Sequence, residues 1–99
     1  MKPIVLSDLE LGLIRSALSQ HKEISGAVLF GSRAKGTASA SSDVDIALEG
    51  IDDELRAEAI SRELDDLPLP YRFDVKALAA IRYPALREHI ARVGVRIYG

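Results

Sequence analysis

Residues 27–30, AVLF, are an apolar run that stops at Gly31-Ser32. After ten further residues Asp43-Val44-Asp45 opens a second apolar run, DVDIALE, over 43–49. The first run, extended back to Ile24, reads as a short strand buried on both faces. The second alternates: Val44, Ile46 and Leu48 point one way, and Asp43, Asp45, Ala47 and Glu49 point the other. Two strands joined through a glycine turn and a run of small residues demand a sheet, and one polar strand face of that sheet carries two carboxylates.

The i, i+2 spacing sets Asp43 and Asp45 roughly 6–7 Å apart along one strand face. Two carboxylates so placed repel unless a cation or a proton intervenes. Between them and the first strand lies SRAKGTASASS, rich in Ser, Thr and Ala and interrupted by Gly36. A single short turn of helix starting at Ser32 fits its first residues. The absence of large side chains lets a ligand approach the backbone. An ordinary polar loop and a solvated strand face account for each piece taken alone. Together, the Gly-Ser turn and the paired carboxylates point to a site for a nucleoside triphosphate and a divalent metal.

The flanking elements follow from local rules. Ser7-Asp8-Leu9-Glu10 has the form of a capping box. Leu11, Ile14 and Leu18 recur behind it, predicting a helix over about 7–21. Gly50 ends the DVDIALE strand. Asp52 is placed to cap a second helix over about 53–66, with Leu55, Ala59, Ile60 and Leu64 as its apolar stripe. Pro68 and Pro70 extend the chain after it. YRFDVK over 71–76 alternates again, with Tyr71, Phe73 and Val75 on one face and Arg72, Asp74 and Lys76 on the other. If this strand neighbours 43–49, Asp74 joins the two earlier carboxylates; alternatively Arg72 and Lys76 neutralise it. Pro84 fits the first turn of a last helix with Leu86, Ile90 and Val93 as its stripe, and Gly94 fits its end. Val95–Tyr98 reads as a short edge strand or a docking segment. His89 reads as a surface or interface residue. The order is α-β-loop-β-α-β-α: an α/β (α+β) domain with a small mixed sheet flanked by helices.

Composition bounds the rest. The 99 residues make one domain, 1–99, and at 47% hydrophobic they suffice for a core. A net charge of −2 supplies no global field for nucleic acid, and none is expected as a direct partner. Cysteine is absent, which excludes disulfides and thiolate metal sites, and His21 and His89 form no ligand pair. No apolar stretch approaches the roughly 20 residues of a membrane span. MKPIVLSDLE lacks the regions of a signal peptide, so the expectation is a cytoplasmic protein.

Gly31-Ser32, ten residues, then Asp43-Val44-Asp45 resembles the GS-x10-DxD signature of minimal nucleotidyltransferases in the DNA polymerase β-like superfamily. The fuller text LFGSRAKGTASASSDVDIAL is similar to that family's FGSRARG…SDIDL form. FDV around Asp74 resembles the strand of its third acidic residue, and REHIARVGVRIYG resembles its usual C-terminus. The resemblance implies a nucleotidyltransferase fold and two Mg²⁺ ions on Asp43, Asp45 and Asp74. It implies ATP as substrate, its triphosphate held by Gly31 and Ser32, with Arg33 and Lys35 as phosphate contacts. Attack would fall on the α-phosphate, with Asp74 accepting the proton and pyrophosphate leaving. Minimal members pair with a helical HEPN-domain toxin and resemble antitoxins of the MntA type, which adenylylate a tyrosine of that toxin. The implied function is therefore a protein adenylyltransferase antitoxin of type VII character. The alternative is a binding module that neutralises the HEPN ribonuclease by complex formation alone.

Overall fold

The structure, a computed structural model, describes residues 6–36 and 43–99. Four strands form one sheet: β1 (Gly26–Phe30), β2 (Val44–Glu49), β3 (Phe73–Ala77) and β4 (Val95–Tyr98). Their spatial order is β3-β2-β1-β4. β1 runs antiparallel to β2 and β4, and β2 runs parallel to β3. The helices are α1 (Asp8–Leu18), α2 (Gly31–Lys35), α3 (Glu54–Asp65) and α4 (Pro84–Val93), with a 3₁₀ turn over Leu78–Ala80. This is the mixed sheet with flanking helices expected from the sequence. Residues 37–42 of the small-residue segment lie outside the described residues.

Alternation along the strands separates the two sheet faces. Ala27, Leu29, Val44, Ile46, Leu48, Phe73, Val75 and Ile97 pack with Leu11, Ile14 and Leu18 of α1 and with Ala57, Ile60 and Leu64 of α3. Burying each Leu or Ile here stabilises the fold by about 1.5–3 kcal/mol, which orders α1 and α3 more than their propensity does. The opposite face carries a smaller cluster, Phe30, Ala47, Ile81 and Ile90, packed beneath α4. Ala47, expected on a polar strand face, is buried because α4 covers its part of the sheet.

Capping follows the expected chemistry with local changes. The Ser7 hydroxyl accepts from the Glu10 amide at 3.2 Å, and the Glu10 carboxylate accepts from the Ser7 amide at 2.9 Å. α1 ends at Leu18 rather than near 21, with Ser19 as its cap. Asp53, not Asp52, caps α3, its Oδ1 accepting from Leu55 N at 2.9 Å. The buried stripe is Ala57, Ile60 and Leu64, and Leu55 is exposed. β1 begins at Gly26, two residues later than expected. Pro84 opens α4 and Gly94 closes it, as read from the sequence. Val95–Tyr98 forms an edge strand, and Arg15 Nε of α1 donates to Ile97 O at 2.6 Å to hold it. Two bonds fasten α3 to β3: Ser61 Oγ donates to Phe73 O at 2.7 Å, and Phe73 N donates to Asp65 Oδ1 at 2.9 Å.

Candidate active site

The topology places the acidic residues. Asp45 lies opposite Phe30 on the antiparallel β1 and opposite Asp74 on the parallel β3. In-register neighbours on adjacent strands project to the same face, so Asp45 and Asp74 share the face that α4 partly covers. Asp43 stands exposed just before β2 begins. The three carboxylates predicted from the sequence thus come to one end of one face, next to the turn where β1 gives way to α2.

Electrostatics at Asp45 record that gathering. Burial, then the charges of Asp74 and Asp43, push its carboxyl above the ordinary aspartate range; Lys76 works in the opposite direction. The Lys76 ammonium lies 3.7 Å from Asp74 Oδ1. The neutralising partner that the alternation allowed for Asp74 is therefore present, and it is Lys76. Among the described residues no three His, Cys, Asp or Glu side chains stand as a ready metal-ligand group. The donor set nonetheless fits a hard divalent cation: all oxygen, all carboxylate, with a repulsion at Asp45 that positive charge relieves. Asp74 also lines a cleft of ≈ 350 Å³ with Glu54, Ala57, Glu58, Ser61, Val75 and Lys76. A larger hollow of ≈ 570 Å³, beside α4 and lined by Val28, Glu49, Arg87 and Arg96 among others, contains none of the three aspartates. Size does not locate the carboxylate chemistry here; charge and register do.

Gly31 is the joint between strand and helix. Its φ is +74°, and a Cβ at this position would collide with the Asp45 carboxylate. Glycine is thus required twice, for the left-handed backbone and for clearance of the acid. Behind the turn, the Gly31 N–H donates to His89 Nε2 at 3.3 Å. The His89 ring meets Phe30 edge-on, with centroids 6.2 Å apart. His89 had no sequence signal for this position, since 58 residues separate it from Gly31.

Arg33 departs from its expected place. The sequence reading set it at a phosphate, but it is 1% exposed, with its guanidinium 4.2 Å over the Tyr71 ring. The Tyr71 hydroxyl in turn donates to Glu10 Oε2 at 2.7 Å. Arg33 therefore ties α2 to the start of α1 through an aromatic ring and a carboxylate. On α2, Arg33 and Ala34 are buried, while Lys35 is exposed. An aromatic three residues before Asp74 was visible in the sequence; its pairing with Arg33 was not.

Comparison with known proteins places this geometry. The chain is similar to a toxin–antitoxin complex with AMP-PNP, at 24% identity over 90% of this chain and 73% of the other, TM-score 0.77. It is also similar to the MntA-HepT toxin–antitoxin structure, at 21% identity over 94% of this chain and 73% of the other, TM-score 0.72. A third similar structure is a tri-AMPylated Shewanella oneidensis HEPN toxin with MNT antitoxin, at 21% identity over 95% and 73%, TM-score 0.73. At these identities the likeness is one of fold. No curated protein matches the chain. The sequence profile "Polymerase beta, Nucleotidyltransferase" matches residues 13–99, a span that holds the Gly31 turn and all three aspartates. With that match over most of its length, the chain belongs to the polymerase β-type nucleotidyltransferase family.

Proposed function

We propose that this nucleotidyltransferase moves AMP from ATP to a tyrosine hydroxyl of a HEPN-domain toxin and thereby acts as its antitoxin. The observation that carries the reading is the register pair Asp45–Asp74 beside the Gly31 turn, with Asp43 adding its charge to Asp45. Support for the nucleotide comes from the similar complex with AMP-PNP, and for the acceptor from the similar tri-AMPylated HEPN complex.

In this reading Asp43, Asp45 and Asp74 hold Mg²⁺, two ions by family resemblance. When bound, Mg²⁺ neutralises the triphosphate and stabilises charge on the attacking and leaving oxygens. Gly31 gives the backbone turn and its clearance, and Ser32 at the start of α2 orients the triphosphate. The tyrosine oxygen attacks the α-phosphorus in line, and the bond to pyrophosphate breaks. The phenolic proton passes to a carboxylate, with Asp74 the best placed because it is exposed and lines the cleft beside β3. Lys76, 3.7 Å from Asp74, moderates the accumulated negative charge. Arg33 acts through the fold, anchoring α2 by way of Tyr71.

The test is transfer of label from α-³²P-ATP with Mg²⁺, the purified chain and its cognate HEPN protein. Label on the HEPN tyrosine that disappears in Asp45→Ala supports the reading. A stable complex without label supports neutralisation by binding alone. In cells, Asp43→Ala/Asp45→Ala separates the two: protection retained by the double variant removes catalysis as the essential step.

A further inference from the structure

We infer that His89 is the positioning residue of the nucleotide turn, an assignment that rests on the nucleotidyl-transfer reading above. The Gly31 peptide is gripped from two sides. On one side the Asp45 carboxylate occupies the space a Cβ would take. On the other, His89 Nε2 accepts the Gly31 N–H at 3.3 Å. The acceptor role needs a lone pair on Nε2, which the Nδ1–H tautomer of imidazole supplies. The ring is itself located by its edge contact with Phe30, 81° to the phenyl plane.

Glycine at φ +74° has more alternative conformations than any other residue, so this turn needs an external constraint. α2 has five residues and no side-chain cap at its start, so it does not hold its own first peptide. The bond to α4 does so. It sets the direction in which Ser32 and α2 leave β1, relative to the Asp45–Asp74 pair. Displacing reacting groups by about 1 Å costs rate even where binding survives. His89 therefore acts on alignment of the triphosphate against the carboxylates and touches neither.

Three forms of the full chain, each with its HEPN partner, test this: wild type, His89→Phe and His89→Gln. Phenylalanine keeps a ring against Phe30 and removes the acceptor; glutamine returns an acceptor near the Nε2 position. The expected result for His89→Phe is a kcat about tenfold lower, with KM for ATP within about threefold, because the loss is in transition-state alignment. His89→Gln restores kcat to within about threefold. Amide exchange at Gly31 rises about tenfold in His89→Phe and returns in His89→Gln, the equivalent of one modest hydrogen bond. If His89→Phe does not fold, His89→Leu takes its place. Wild-type kcat in a folded variant lacking the acceptor overturns the assignment, as does unchanged Gly31 exchange. Absence of transfer by wild type overturns the transfer reading and this inference with it, and is seen in the wild-type reaction itself.

Discussion

Asp45 and Asp74 face each other across adjacent parallel strands, as direct register partners. Burial, and then the charges of Asp74 and Asp43, raise the cost of ionising Asp45. Such an arrangement opposes stability, and its sense lies in what it attracts.

Asp45→Asn tests this opposition. On the proposed reading transfer falls by about 100-fold or more, because a carboxylate that would hold the divalent cation is gone. Thermal stability rises. The sign is set by the raised pKa: a group easier to protonate when folded contributes stability below the ordinary aspartate value and loses it as pH rises through the raised value. The Tm of Asp45→Asn therefore pulls ahead of wild type as pH climbs from the acid range to neutrality. Parallel melting curves across that range check it; a variant less stable at neutral pH contradicts the account.

Lys76→Met moves the acid limb of activity. The Lys76 charge lowers the Asp45 pKa and pairs with Asp74 at 3.7 Å. Without it the Asp45 carboxyl titrates at higher pH, so activity that needs ionised Asp45 begins at higher pH. The comparison is a pH–rate profile of transfer for wild type and variant. The shift shrinks with added salt in the wild type, since the pair is solvent-accessible.

Gly31→Ala meets two obstacles. Positive φ costs an L-residue roughly 1–3 kcal/mol, and the new Cβ collides with the Asp45 carboxylate. Denaturant titration should show a loss in that range or above. Activity falls further than stability explains, because Asp45 must move to make room.

Tyr71→Phe probes the tie between α1 and α2. The ring over Arg33 remains, and only the hydroxyl bond to Glu10 is lost. The expected cost is about 0.5–1.5 kcal/mol, read by denaturant titration. Glu10 is held below the usual glutamate range by the Ser7 amide, then by the Tyr71 hydroxyl. A depressed carboxyl contributes stability above its unfolded value and loses it as pH falls through the folded one. Glu10→Gln is therefore less stable than wild type at neutral pH, and the gap closes on acidification.

Where chemistry is local, the sequence by itself determined it. Ser7 and Glu10 are three residues apart, and their reciprocal caps formed as read. The alternation through Val44–Glu49 and Phe73–Ala77 set which side chains share a face, because a strand has a period of two. Pro84 opened α4, since its ring fixes φ whatever its neighbours, and Gly94, a poor helix former, closed it. Gly31-Ser32 and the spaced aspartates marked the candidate site. Tertiary structure decided what depends on pairing at a distance. Strand order set Asp45 against Asp74, packing between helix and sheet chose Asp53 as the cap and Ala57 over Leu55, and α4 buried Ala47. Arg33 had two chemically reasonable destinations, a phosphate or an aromatic face. The ring of Tyr71, brought near by the sheet, settled it, because a guanidinium stacked on a ring with its polar atoms satisfied can be buried. The bond from Gly31 to His89 joins two segments that no local rule relates; it exists because α4 crosses the end of β1.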